Sequence, residues 1–192
     1  MSPGRVLFFA CVCSCVSRVE TPDAGGPPLK FSSLAAHIHT CGIATDGKAW
    51  CWGQNNFGQV GDGTTEPRER PTRVAQDRVF SELSLSRSSH VCGLSGETVY
   101  CWGAGARGQL GDGTSTSHDE PTPVAGAYSS VSTRLHTSCA VSATGAASCW
   151  GENGSGQFGD GTTTSRDAPS PAGGTLAFKQ VSIGDLHGCG LQ

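Results

Sequence analysis

Charge and long apolar runs are what this sequence has least of. Charged residues make up 15% of its 192 positions, and the formal net charge is −3. So small a negative balance gives no general attraction to nucleic acid or to an anionic membrane surface. No apolar run approaches the roughly 20 residues that cross a bilayer as a helix. Catalytic constellations are also missing: no Ser/His/Asp set and no carboxylate pair stands out from a periodic background in which His and Asp simply recur. What is abundant is glycine, at 28 residues, and cysteine, at 10. Many glycines between short apolar clusters suit an all-β chain rich in tight turns. Ten cysteines call for disulfides in an oxidising compartment or for a metal.

Three of the cysteines lie in the first 18 residues. Arg5 precedes the apolar run 6–16, and small residues follow it. This is the pattern of a secretory signal. Val12-Cys13-Ser14-Cys15 also resembles a bacterial lipobox, in which Cys15 would carry lipid. A wrongly chosen start codon, leaving a remnant of an earlier repeat or a meaningless tail, is the third reading. Residues 19–30, with Pro22, Gly25, Gly26, Pro27 and Pro28, read as a flexible tether.

From residue 31 the chain repeats itself. Cys51-Trp52-Gly53 opens a stretch that ends in Gly58-Gln59-Val60-Gly61-Asp62-Gly63-Thr64, and the same stretch returns at Cys101 and at Cys149. Spacings of 50 and 48 residues indicate a propeller or a solenoid. Each repeat opens on an aromatic with an apolar residue three positions later: Phe31/Leu34, Phe80/Leu83, Tyr128/Val131 and Phe178/Val181. A His then shortly precedes a Cys, at His39/Cys41, His90/Cys92, His136/Cys139 and His187/Cys189. The units are 31–79, 80–127, 128–177 and a partial 178–192.

Turn chemistry sets the hairpin register. Thr45-Asp46-Gly47 and Ala143-Thr144-Gly145 make three-residue loops, with glycine in the left-handed position. The second repeat is one residue shorter, and Gly96-Glu97 makes a two-residue type II′ turn there. In every case the flanking cysteines come out directly opposed, at a separation a disulfide accepts. The expected pairs are Cys41–Cys51, Cys92–Cys101 and Cys139–Cys149, with Cys189 left unpaired. A ring propeller needs at least four blades. The chain therefore reads as an incomplete ring that closes through self-association or through additional repeats.

The pattern His-Thr-Cys, then Cys-Trp-Gly-x-Asn-x-x-Gly-Gln-x-Gly-Asp-Gly-Thr-Thr, then Pro-x-x-Val resembles the RCC1 (regulator of chromosome condensation) repeat. The resemblance covers residues 31–192, and the cysteine pair beside the hairpin is similar to that of the bacterial, exported branch. It implies a β-propeller of four-stranded blades. The eukaryotic founder is a nucleotide exchange factor for the GTPase Ran and binds chromatin, through loops that match no position here. Bacterial relatives include secreted proteins, one of which inhibits β-lactamases. The common theme is protein binding, and fold alone warrants nothing narrower.

Sharper readings of single motifs compete with structural ones. Gly103-Ala104-Gly105-Ala106-Arg107-Gly108 fits a dinucleotide fingerprint, but the equivalent 53–58 stretch is a loop. His beside Cys invites zinc; one such pair in every repeat argues for architecture, with the His bonded to a neighbouring turn. Asp62, Asp112 and Asp160 suit tight turns better than calcium, which needs six to eight oxygens. Trp52, Trp102 and Trp150 could stack on sugars, but their fixed place in the repeat indicates packing between blades. Asn153-Gly154-Ser155 fits an N-glycosylation acceptor.

The loops that differ between repeats hold the binding candidates: Glu66, Arg68, Glu69, Arg70, Ser117, His118, Asp119, Ser165, Arg166 and Asp167. The expectation is an all-β, RCC1-like propeller segment, exported or held at the cell envelope, that binds a protein or surface ligand. No cofactor, metal, catalysis or nucleic acid is expected, and Cys15 offers a lipid anchor. An exchange factor of the founder's kind and a secreted enzyme inhibitor are the alternative readings.

Overall fold

The structure, a computed structural model, describes residues 28–192. The leader, the lipidation candidate Cys15 and the tether up to residue 27 lie outside the described residues. Lys30 is already tied to the first sheet, since its carbonyl accepts the N–H of Thr45 at 3.0 Å.

Among the described residues, fourteen strands form four antiparallel sheets. The first sheet is β1 (Phe31–Ala36), β2 (His39–Ala44), β3 (Ala49–Gly53) and β4 (Arg68–Arg73). The second is β5 (Glu82–Leu85), β6 (His90–Ser95), β7 (Thr98–Gly103) and β8 (His118–Pro123). The third is β9 (Ser130–Arg134), β10 (Thr137–Val141), β11 (Ala147–Gly151) and β12 (Arg166–Ala172). The fourth holds β13 (Gln180–Ile183) and β14 (Gly188–Leu191). Strands pair in sequence order within each sheet, which is the meander of a propeller blade. The first strands of successive sheets touch one another, so they lie nearest the common axis. Among the described residues the sheets form an open arc.

The hairpins follow the turn chemistry. Cys41 faces Cys51, Cys92 faces Cys101, and Cys139 faces Cys149. Each pair lies at a Cα separation of 4.1 Å, with the sulfurs at bonding distance. Gly47 and Gly145 adopt φ of 80° and 87°, and Gly96 adopts 61°. The one-residue difference in loop length is thus absorbed by the turn type, and the cross-strand cysteine pair is kept.

The cores lie between sheets. The first gathers Ile43, Ala49, Val60, Val74 and the Cys41–Cys51 pair with Phe80, Leu85, Val91 and Trp102 from the next repeat. The second sets Leu94, Val99, Leu110, Val124 and Cys92–Cys101 against Tyr128, Val131, Ala140 and Trp150. Each disulfide therefore faces forward and is covered by the following repeat. Trp102 and Trp150 are fully buried, and burying an aromatic of that size contributes roughly 3 kcal/mol. Among the described residues no sheet precedes the first, and Trp52 is half-buried and packs on Phe31, with ring centroids 5.8 Å apart.

Candidate binding rim

The loops from third to fourth strand (54–67, 104–117 and 152–165) emerge at the same end of every sheet. Side chains inside the loops staple them. Gln59 Oε1 accepts the N–H of Phe57 at 2.9 Å, Gln109 that of Arg107 at 2.8 Å, and Gln157 that of Ser155 at 2.9 Å. Asn55 accepts from the N–H of Val60 and donates to the carbonyls of Thr64 and Glu66. Asn153 does the same with Phe158, Thr162 and Thr164. It is fully buried with its amide nitrogen donating, so the Asn-Gly-Ser sequence offers no accessible glycan acceptor in the fold. In the second repeat Gly105 stands in that place; a Cβ there would run into the carbonyl of Thr116. The Gly-x-Gly-x-x-Gly stretch is the end of β7 and a turn, and no helix follows it.

The Asp residues close the other half of each loop. Asp62, Asp112 and Asp160 accept the backbone N–H and hydroxyl of the Thr two positions on. Their second oxygens meet Arg68 at 2.5 Å, His118 at 2.6 Å and Arg166 at 3.1 Å. Burial pushes the Asp112 carboxyl up, but hydrogen bonds from Thr114 and the contact with His118 outweigh it and hold the group below its ordinary value. At Asp160 the Thr162 hydroxyl has the largest effect, and the carboxyl is likewise lowered.

The candidate loop residues thus fall into groups. Arg68, His118 and Arg166 fold back onto the aspartates of their own loops. Ser117 and Ser165 accept the backbone N–H of Gly105 and Asn153 at 3.1 Å each. The carbonyls of Asp119 and Asp167 accept the N–H of Gly63 and Gly113 from the preceding loop, at 2.9 Å each. These bonds set successive loops side by side and leave the two carboxylates exposed. Glu66, Glu69 and Arg70 are exposed, and their side chains have no hydrogen-bond or ion-pair partner among the described residues.

Between the second and third sheets this arrangement opens a polar cleft of ≈ 340 Å³. Arg107, Gly108 and Ser115 line one wall, and Glu152, Ser165, Arg166 and Asp167 the other. Arg107 and Glu152 approach only to 3.9 Å across it, and the Arg side chain is 62% exposed. Residues 57, 107 and 155 occupy one position on the Gln-stapled turn and project from the rim as Phe, Arg and Ser. Phe57 is 47% exposed, a large apolar side chain in water. The sequence reading placed the candidates in the later part of each loop and passed over this position; the signal was a fixed place in the repeat filled by three unlike residues.

The histidines do not bond to turns as expected. His90 is fully buried, and its Nε2 lies 3.0 Å from the Ser138 hydroxyl on the next sheet. At the equivalent place in the first repeat is His39; Val91 stands where the third repeat has Ser138, and neither ring nitrogen of His39 has a hydrogen-bond partner among the described residues. In the third repeat Thr137 takes the position and His136 sits one residue earlier, before the strand. Burial, helped by neighbouring histidines, lowers the pKa of His39 to about 4 and that of His90 to about 3.

A profile of the Regulator of chromosome condensation (RCC1) repeat matches residues 46–92 and 97–147, just over half of the chain. The chain belongs to the RCC1 repeat family. Each matched RCC1 unit runs from the third strand of one sheet to the second strand of the next, so the sequence unit and the blade are out of phase by half a blade. Among solved structures, human WBSCR16 is similar at a TM-score of 0.71 and 22% identity, over 81% of this chain and 43% of that one. Prp20p of Saccharomyces cerevisiae is similar at 0.70 and 21%, over 86% and 45%. The CRINKLY WD40 ectodomain of the Arabidopsis thaliana receptor kinase ACR4 is similar at 0.57 and 22%, over 85% and 50%. At these identities the likeness is one of fold, and the chain spans half or less of each of those chains.

Proposed function

We propose that this RCC1-repeat chain is a non-catalytic protein-binding module that works outside the cytoplasm. Its contact surface is the rim formed by Phe57, Arg107 and Ser155 together with the cleft between the second and third sheets. The observation that carries this reading is the contrast within each loop. Gln and Asp recur in all three loops and Asn in two, and they hold the backbone still, while the outward position at 57, 107 and 155 changes from apolar to cationic to small polar. A fixed scaffold with variable outward groups suits recognition of a protein surface, where an exposed aromatic and an arginine serve as anchors.

Two comparisons support the parts. Prp20p is described with its binding to Gsp1p and histones, so a scaffold of this kind carries protein contacts elsewhere. The ACR4 domain is the ectodomain of a receptor kinase. Three cysteine pairs at disulfide distance fit an oxidising compartment.

The test is site-specific photo-crosslinking in the cells that make the protein. A photoreactive residue at position 57 or 107 is expected to give protein adducts. The same residue at 46 or 144, in hairpin loops at the opposite end of the sheets, is not. Adducts from 46 and 144 alone would move the contact surface to the other rim. A catalytic release of nucleotide from a small GTPase would favour the exchange-factor reading instead. Stoichiometric loss of a hydrolase's activity would identify the partner as an enzyme.

A further inference from the structure

The second rim loop is closed by a titratable group where the other two are not. Asp62 is met by Arg68 at 2.5 Å and Asp160 by Arg166 at 3.1 Å; at the same place in the second repeat Asp112 Oδ2 lies 2.6 Å from Nε2 of His118. A guanidinium stays charged, whereas an imidazole ordinarily gains and loses its charge between pH 5 and 8. A neutral ring can still donate a hydrogen bond to the carboxylate, but it no longer attracts it as an opposite charge. That attraction counts for more at Asp112, whose side chain is only 9% exposed.

The same loop lacks a staple that the others have. Asn55 and Asn153 each accept one main-chain N–H and donate to two carbonyls of their own loops. Gly105 stands in that place in the second loop and has no side chain to do so. The side-chain bonds that remain there are those of Gln109 to the N–H of Arg107, of Ser117 to the N–H of Gly105, and the Asp112 cluster with Thr114 and His118. This loop supplies Arg107, Gly108 and Ser115, one wall of the cleft. On the elements packed against His118, Asp62 is engaged by Arg68, Glu120 by Gln76 and Tyr100 by Arg78. Arg107 approaches Glu152, and Glu66 and Asp119 are exposed. Among the described residues Asp112 is the charged group within ion-pair distance of the ring.

We propose, on the reading of this rim as a contact surface, that loop 104–117 is its pH-operated latch. With His118 protonated the loop is locked and its wall of the cleft is fixed for the partner. With His118 neutral the loop opens locally and binding weakens. The sign is opposite to that of the buried His39 and His90, which burial holds neutral in the fold, so acid that loosens the sheets tightens this loop.

Hydrogen exchange of the 1–192 chain, corrected for intrinsic rates, reads the latch without a partner. The N–H groups of Gly113 and Thr114 bond to the Asp167 carbonyl and to Asp112, as those of Gly63 and Thr64 bond to the Asp119 carbonyl and to Asp62. From pH 6 to pH 8, protection at 113 and 114 is expected to fall about fivefold relative to 63 and 64, the order set by one partly exposed ion pair. His118→Arg, which gives this loop the clamp of its neighbours, is expected to abolish the fall. Protection that tracks residues 63 and 64 at both pH values, or that falls as far in His118→Arg, would overturn the latch. A photoreactive residue at position 115, on the cleft wall, then reads binding to cells that make the protein. Adduct yield is expected to be about fivefold higher at pH 6 than at pH 8, with His118→Arg restoring the yield at pH 8. Adducts indifferent to pH would keep the rim as a contact surface but remove its regulation. A pH-dependent yield that His118→Arg leaves unchanged would place the titration in the partner and sink the proposal as well. No adduct from 57, 107 or 115 at either pH would end both the contact surface and its latch.

Discussion

The indole N–H of Trp150, in the third sheet, donates to the carbonyl oxygen of Gln109, in the loop of the second, at 2.9 Å. The same carbonyl accepts the Ser138 hydroxyl at 2.9 Å, and Ser138 in turn meets His90. One backbone oxygen is thus the meeting point of two consecutive repeats. Trp150→Ala is expected to cost about 3–5 kcal/mol of stability, and Trp150→Phe, which keeps most of the ring but loses the donor, roughly 1–2. Urea unfolding of the two variants measures both, and a Trp150→Phe variant as stable as the parent would show that the hydrogen bond contributes nothing beyond the packing.

Glycines under the indoles separate backbone strain from contact. Gly111 and Gly159 both have positive φ, 75° and 65°, so Ala costs about 1 kcal/mol at either for conformation alone. Only at position 111 does the new methyl strike a tryptophan. Gly111→Ala is expected to lower the melting temperature clearly more than Gly159→Ala. A comparison of the two thermal transitions checks this.

The three disulfides should not reduce together. Cys41–Cys51 is covered by Trp102 and Cys92–Cys101 by Trp150, while Cys139–Cys149 borders an open cavity. Access of the attacking thiolate governs the rate. Brief treatment with a small thiol, followed by alkylation and peptide mapping, is expected to label Cys139 and Cys149 first. Early labelling of Cys41 or Cys92 would contradict the covering role of the indoles.

Acid should weaken the fold early. His39 and His90 are lowered from 6.5 to about 4 and about 3, so both are neutral in the folded chain. Their contribution is complete above 6.5 and is lost as pH falls from there toward the folded values, by about 1.4 kcal/mol per pH unit for each. Asp112 and Asp160, held below 3.8, add to the loss only in stronger acid. A melting temperature that stays constant from pH 7 to pH 5 would rule out this assignment.

The parts that were legible in the sequence are the local ones. Cys41 opposite Cys51 follows from a three-residue loop with glycine third, and Cys92 opposite Cys101 from a two-residue loop with glycine first, because turn geometry fixes register within ten residues. That tryptophans pack between blades was also readable from their fixed place. Which carbonyl each indole meets was not, since Trp102 and Gln59 are 43 residues apart and meet only across two sheets. The loops misled for a physical reason. Arg68, His118 and Arg166 look free in sequence, yet each lies six residues after an Asp in a turn that doubles the chain back. The constant spacing of six was the signal. Phe57 and Arg107 were hidden by the opposite effect: they sit inside the most regular part of the repeat, where variation is easily taken for noise.

The forward placement of the tryptophans also sets a schedule for a growing chain. A sheet is sealed only when the third strand of the following repeat has been made, some 41–43 residues beyond the loop it caps. As synthesis proceeds from the N-terminus, one apolar interior is always waiting for its lid, and the wait has nearly the same length each time. The aggregation hazard of the nascent protein is therefore constant along its length instead of growing with it, and one helper bound at the newest sheet would suffice at every stage.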